Sequence, residues 1–361
     1  EMNCNEDLIF KLPHEKRTAT KASPAKTKEV CMDFHLENSG TEFGALSARA
    51  KIIEGIIQAA SNSTTLGPGI KNGTYRRNLQ ELPWRCPAGY SHTELLGFTD
   101  PLSPPSGEEQ QFRLELVLPP VRRSHTVVLM LHGGGYIAGL RNVYRDFGVL
   151  YSDCNDGQAC LIVDYRYAPE HPYPAALEDA VRAWKFLIEE RDYLPEEIIV
   201  AGDSAGGGLS LALAMYLRDH GMGSPKKLVL MSPWTDVTAS GPSYEENYTR
   251  DILFGNAKDP VNHYSSMIYH NPYVGDHDPH TPYLSPLFGD FTDLPPMLFQ
   301  VGSNEMLLSD STAAAQKAHD AGVNVRLEVY PEMFHVFQMG LSLLPESAEA
   351  WKKVAQFIEE D

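Results

Sequence analysis

The sequence predicts an α/β fold, with a mostly parallel central sheet flanked by helices. Six short segments (126–131, 159–163, 198–201, 227–231, 297–301 and 325–330) are mostly apolar throughout, as strands covered on both faces are. Helical patterns alternate with them. Residues 176–188 place Leu177, Val181, Trp184 and Leu187 on one face, 312–321 run up to Gly322 in the manner of a C-cap, and 348–360 close the chain. Glycine-rich turns follow two of the strands directly, at 132–135 and 202–208. Alternation of this kind gives right-handed crossovers and ligand sites beyond the carboxyl ends of the strands.

In chain order, residues 1–45 read as a mobile or loosely packed extension. Up to about Glu29 they are rich in Lys, Thr, Ala and Pro, locally basic and without periodicity. Leu46, Ala50, Ile53, Ile57 and Ala60 recur at steps of three and four, so 46–60 reads as a helix with one apolar face. That face serves either ordinary core packing or a lid. Pro68, Gly69, Gly73, Pro83, Pro87 and Gly89 then break the pattern. The regular domain is expected over 93–361. In it Phe112, Leu114, Leu116 and Leu118 alternate with Arg113, Glu115 and Val117, the period of a strand with one buried face, which Pro119-Pro120 ends.

Length and charge narrow the function. The 361 residues suit one catalytic domain with an added cap. Thirty Lys and Arg against 48 Asp and Glu give a net charge of -18, which repels nucleic-acid backbones and anionic lipid surfaces. No run of about 18 apolar residues offers a membrane span, and the first thirty residues carry no export-signal pattern. A cytoplasmic location is therefore expected; because the chain begins with Glu, a removed signal and secretion stay open. Cys4, Cys31, Cys86, Cys154 and Cys160 are scattered and odd in number, which suits reduced thiols. Asn62, Asn72 and Asn247 head glycosylation sequons that matter only in a secreted protein. Asp276-His277-Asp278 resembles a metal cluster superficially but lacks fixed flanking geometry, and no metal site is expected there.

The chemistry centres on Gly202-Asp203-Ser204-Ala205-Gly206, where a strand runs into a sharp turn and then a helix. Glycines on either side of a strained serine relieve crowding and hold its hydroxyl out for substrate. His132-Gly133-Gly134-Gly135-Tyr136 follows an earlier strand, and its N–H groups can hold a carbonyl oxygen that turns negative on attack. Gly134 and Gly135 are the expected donors, with the Ala205 N–H as the third and Gly133 as a further possibility. A nucleophilic serine needs a base on a loop after a late strand, and His335 lies five residues beyond Tyr330. His132 reads as a residue shaping the hole, while His263, His270, His277 and His280 read as solvated or locally bonded. The acid that orients the base comes from Gly302 to Asp310. Glu305 stands close to the strand end; Asp310 is the alternative, with a competing reason to exist as a helix cap. Asp203 and Tyr136 are placed beside the substrate pocket, and Asp203, Arg166 and Glu170 read as bracing groups.

HGGG at 132–135, DYRYAPEHPYPAALED at 164–179, GDSAGG at 202–207, SPWTD at 232–236 and HVF at 335–337 together resemble the hormone-sensitive-lipase-like family of α/β-hydrolase carboxylesterases. The resemblance covers about Leu95 to the C-terminus. It implies an α/β-hydrolase fold with Ser204 as nucleophile and His335 as base. In the family the acid is usually Asp in an Asp-x-Leu context; here Glu305-Met306-Leu307 fills that place. It also implies a helical cap made from 46–92 and from an insertion after the sixth strand, about 238–293. The activity implied is hydrolysis of short to medium acyl esters of small molecules through an acyl-enzyme, without metal or cofactor, in a chain that can form a homodimer. A non-catalytic small-ligand receptor on the same fold, or a serine peptidase or amidase, is the alternative.

Overall fold

The computed structural model describes residues 36–37, 47–61, 81–95, 113–255 and 266–360. Nine strands form one sheet: β1 (Leu36–Glu37), β2 (Ser91–Leu95), β3 (Arg113–Leu118), β4 (Val127–Leu131), β5 (Ala159–Asp164), β6 (Ile198–Asp203), β7 (Lys227–Met231), β8 (Met297–Gly302) and β9 (Val325–Tyr330). Their order is β1-β9-β8-β7-β6-β4-β5-β3-β2. Every neighbouring pair is parallel except β2 with β3 and β3 with β5. The larger helices are α1 (Ala48–Ser61), α2 (Asn142–Asp153), α3 (Ala175–Lys185), α4 (Ser204–Asp219), α5 (Leu308–Asp320) and α6 (Pro345–Glu359).

The apolar strands are apolar because both faces are roofed. On β4, Val127, Leu129 and Leu131 point into a core shared with Trp184 of α3 and Leu213 of α4. Val128 and Met130, alternating with them, point into a second core built with Phe147 and Tyr151 of α2 and Trp351 and Phe357 of α6. A strand's two-residue period demands this split, and each side chain buried in full contributes roughly 1.5–3 kcal/mol.

β3 departs from the one-faced strand that its alternation predicts. Val117 is fully buried and Glu115 nearly so. Val117 packs into the second core, and the reason for Glu115 is ionic: Arg145 on α2 donates to both its carboxylate oxygens at 2.7 and 2.6 Å, and the His92 ring lies 2.8 Å away. Burial raises the Glu115 pKa, but the bonds from His92 and Arg145 outweigh it and bring the pKa down to about 2.

Of the extension over 1–45, only Leu36–Glu37 falls within the described residues, as the two-residue strand beside β9. α1 starts two residues later than its pattern predicts. Ala50 and Ile53 dock it onto Tyr330, Met333, Phe334 and Phe337, the segment that carries His335. Of the expected insertion, 238–255 and 266–293 are described; they hold two four-residue helical turns, Ser243–Glu246 and Ser266–Tyr269, and a 3-10 turn at Pro286–Phe288. His263 and the sequons at Asn62 and Asn72 lie outside the described residues, as do Cys4 and Cys31. Cys86, Cys154 and Cys160 are free thiols. Among the described residues no helix is long and apolar enough to cross a membrane, and no group of three or more His, Cys, Asp or Glu side chains could hold a metal ion.

Candidate active site

β6 ends at Asp203 and α4 begins at Ser204 with no residue between. Ser204 takes a left-handed backbone with φ +51°, a conformation a non-glycine residue holds only when its surroundings impose it. A Cβ on Gly206 would lie 2.0 Å from the Leu131 carbonyl oxygen and 2.4 Å from that of His132; one on Gly202 would lie 2.3 Å from the Gly206 oxygen. The G-x-S-x-G spacing is thus a steric requirement of backbone meeting backbone. The Trp234 N–H donates to the Ser204 carbonyl at 2.8 Å and ties the turn to the loop after β7.

His335 stands on the loop after β9, between Glu332 (φ +58°) and Val336 (φ +49°). Its Nε2 is 2.8 Å from Ser204 Oγ, and its Nδ1 is 2.8 Å from Glu305 Oε2. Glu305 is fully buried. Its Oε1 accepts the Gly302 N–H at 2.5 Å and the Ser232 hydroxyl at 2.8 Å. Ser232 Oγ also accepts the Val336 N–H at 3.2 Å, so one hydroxyl braces the loops of both His335 and Glu305.

Asp310 is placed elsewhere. It is the third residue of α5, and its Oδ2 accepts the N–H groups of Thr235 and Asp236 at 2.7 and 2.9 Å. The helix-cap role expected of it does not hold, because its partners belong to the loop after β7. Burial, with the neighbouring Asp236 charge, pushes its pKa up to about 8.

In the glycine loop, the Gly133 N–H donates to Asp203 Oδ1 at 2.9 Å, and Tyr144 donates its hydroxyl to Oδ2 at 3.2 Å. That N–H is already committed, so Gly133 falls out of the expected donor set. Asp203, 3 % exposed, stands behind the elbow rather than lining a pocket, and burial raises its pKa to about 6. Gly134 (φ +117°) and Gly135 (φ +62°) require glycine's freedom. The Gly134 carbonyl accepts Ile137 and Ala138 N–H, each at 3.1 Å, and the Gly135 carbonyl accepts Asn271 Nδ2 at 2.7 Å. Their own N–H groups meet no acceptor among the described residues. Ala205 lies in the first turn of α4, where N–H groups lack intrahelical partners and the helix dipole favours negative charge.

His132 is fully buried, its ring stacked on Tyr165 at 4.2 Å; burial lowers its pKa and favours the neutral form. Its Nδ1 donates to the Gly133 carbonyl at 2.7 Å. The Tyr136 ring stacks on Tyr273 at 4.0 Å and is 3 % exposed, a core position rather than the pocket wall expected of it. Arg166 braces its loop as expected, with Nε bonded to Asp179 and an η nitrogen to Glu178. Ser232, Asn247, Asp251 and Asn271 hold the site's loops, and no motif in the sequence marks them as site residues. The only signal at Asn247 was a sequon, which reads as something else.

Known proteins share this fold and family. A sequence profile described as alpha/beta hydrolase fold matches residues 128–339. An acetyl-hydrolase of Streptomyces hygroscopicus is 39% identical over 239 residues, spanning 66% of this chain and 77% of its own. An esterase of Acinetobacter venetianus is 35% identical over 231 residues, 64% of this chain and 74% of its own. Among solved structures, an esterase from the bacterial hormone-sensitive lipase family superposes with TM-score 0.73 at 32% identity, covering 87% of this chain and 98% of that one. EstE5, soaked with p-nitrophenyl butyrate, gives 0.74 at 29% identity over the same shares. The chain belongs to the α/β hydrolases, in the hormone-sensitive-lipase-like family. It is a carboxylesterase.

Proposed function

We propose that Ser204, His335 and Glu305 form the triad of this esterase, and that Gly134, Gly135 and Ala205 donate its oxyanion hole. The observation that carries the reading is the unbroken relay of two 2.8 Å contacts from Ser204 Oγ through the imidazole to Glu305. His335 Nε2 takes the hydroxyl proton as Oγ bonds to the ester carbonyl carbon. The carbonyl oxygen, now negative, accepts from the three N–H groups, and Glu305 steadies the imidazolium. The C–O bond to the alcohol breaks, and the alcohol leaves with the proton from His335. Water, deprotonated by the same imidazole, then attacks the acyl-serine and releases the acid. Side chains, backbone N–H groups and water carry every step, so the reaction calls on no metal or cofactor.

The substrates are small esters with short to medium acyl chains, a reading supported by the acetyl-hydrolase relative. Of the cap expected from 46–92 and 238–293, residues 62–80 and 256–265 lie outside the described residues, and Ser91 and His92 belong to the sheet as part of β2. Turnover of p-nitrophenyl esters of graded chain length, by wild type and Ser204→Ala, is the test. Expected are activity that falls with chain length and a loss of about ten-thousandfold or more in the variant. Inactivity on every ester, or an active variant, overturns the proposal. The first of these results is the one a ligand receptor would give.

A further inference from the structure

The Glu305–Met306 peptide is gripped from outside its own loop. Asn247 Nδ2 donates to the Glu305 carbonyl at 2.8 Å and to the Ser303 carbonyl at 3.0 Å. Asp251 Oδ2 accepts the Met306 N–H at 2.7 Å. These two groups hold opposite edges of one planar unit, so that unit cannot swivel, and the direction in which the Glu305 side chain departs is set with it. The remaining Asp251 oxygen accepts the Leu253 and Phe254 N–H groups, each at 2.9 Å, and the Phe254 ring lies 4.7 Å from the His335 ring. Asn247 and Asp251 are 4 % and 3 % exposed, and the Asp251 N–H closes their turn on the Asn247 carbonyl at 2.8 Å. One stretch of the segment after β7, through its buried residues Asn247, Asp251 and Phe254, therefore touches both the acid's backbone and the base's ring.

We infer that Asn247 and Asp251 are positioning residues for ester hydrolysis, acting through the Glu305–Met306 peptide. The inference rests on the reading of Glu305 as the triad acid. Neither side chain touches substrate; each fixes the acid that orients His335, and errors of about an ångström in such a constellation cost up to about a hundredfold in rate. Asn247 also leaves the sequon reading behind. Its amide nitrogen has two hydrogens, both spent on carbonyls inside the fold, so the folded chain offers no acceptor for a glycan there.

The test is a double-mutant cycle on p-nitrophenyl acetate turnover by the full chain: Asn247→Ala, Glu305→Ala and both together. Asn247→Ala is expected to lower kcat about ten- to a hundredfold with KM within about twofold. In the Glu305→Ala background the same substitution is expected to change kcat by less than about threefold, because the group it positions is gone. An equal loss in both backgrounds, or a change confined to KM, overturns the inference while leaving Glu305 as the acid. Full activity of Glu305→Ala overturns the acid reading itself. If thermal melts show that Asn247→Ala does not fold, Asp251→Asn, which keeps the volume and gives up one acceptor oxygen, takes its place in the cycle with the same expected and contrary results.

Discussion

Around Ser204 the chain is held by backbone packed on backbone, whereas around Glu305 it is held by side chains reaching for backbone. On the first side, Gly202 and Gly206 leave no room for a methyl group between β6, α4 and the loop after β4. On the second, Ser232, Asn247, Asp251 and Asp310 bond the peptide groups and carboxylates of three loops. A wall of backbone fails when bulk is added. A net of hydrogen bonds fails when a partner is removed, since a buried polar group left unpaired costs roughly 1–3 kcal/mol.

The largest effect should separate the two carboxylates of the acid side. Glu305→Gln is expected to lower kcat about a thousand- to ten-thousandfold, since an amide neither orients the imidazole nor steadies its charge. Asp310→Asn should stay within about tenfold of wild type; steady-state kinetics on one short ester reads both, and a deeper loss in Asp310→Asn reverses the assignment. Next comes the steric side. Gly206→Ala should destabilise the fold by about 3 kcal/mol or more in denaturant unfolding, because carbonyl oxygens at 2.0 and 2.4 Å cannot retreat as a flexible side chain could.

A pH-dependent effect of similar size follows from Asp310 titration. With a folded pKa near 8, the native chain keeps a proton that the unfolded chain releases at about 4. Unfolding therefore releases that proton, and stability falls as pH rises between those values. Asp310→Asn lacks this dependence, so its unfolding midpoint should gain on wild type from pH 5 to pH 8; a constant gap contradicts the buried, proton-holding carboxyl. The smallest effect is the control for crowding. Among the described residues a Cβ on Gly55 of α1 meets nothing within 4 Å, and Gly55→Ala should stabilise by about 0.4–1 kcal/mol through helix propensity and the unfolded chain.

The same contrast explains what could be read from the sequence. Ser204, the glycine loop and the strands are written locally, in glycine spacing and in apolar runs, and their positions follow within a residue or two. Glu305 stood out because it lies close to a strand end, three residues beyond Gly302. For Asp310 the sequence leaves the alternative acid and a helix cap side by side, because its actual partners, Thr235 and Asp236, stand 75 and 74 residues away. Asn247 shows in the sequence only as a sequon for the same reason, its carbonyl partners being 56 and 58 residues distant. Glu115 looked like the exposed side of a one-faced strand, since nothing nearby in the chain announces Arg145 thirty residues on. Long-range polar contacts leave no periodicity behind, so they appear only once the fold brings them together.

The most direct measurement is to trap the covalent intermediate. Rapid mixing of stoichiometric enzyme with p-nitrophenyl acetate, followed by acid quench and peptide mass spectrometry, should give a phenolate burst and one acetyl group on the peptide carrying Ser204, with that group absent from Ser204→Ala. An acetyl group on another residue, or ester turnover by the Ser204→Ala chain, would contradict it.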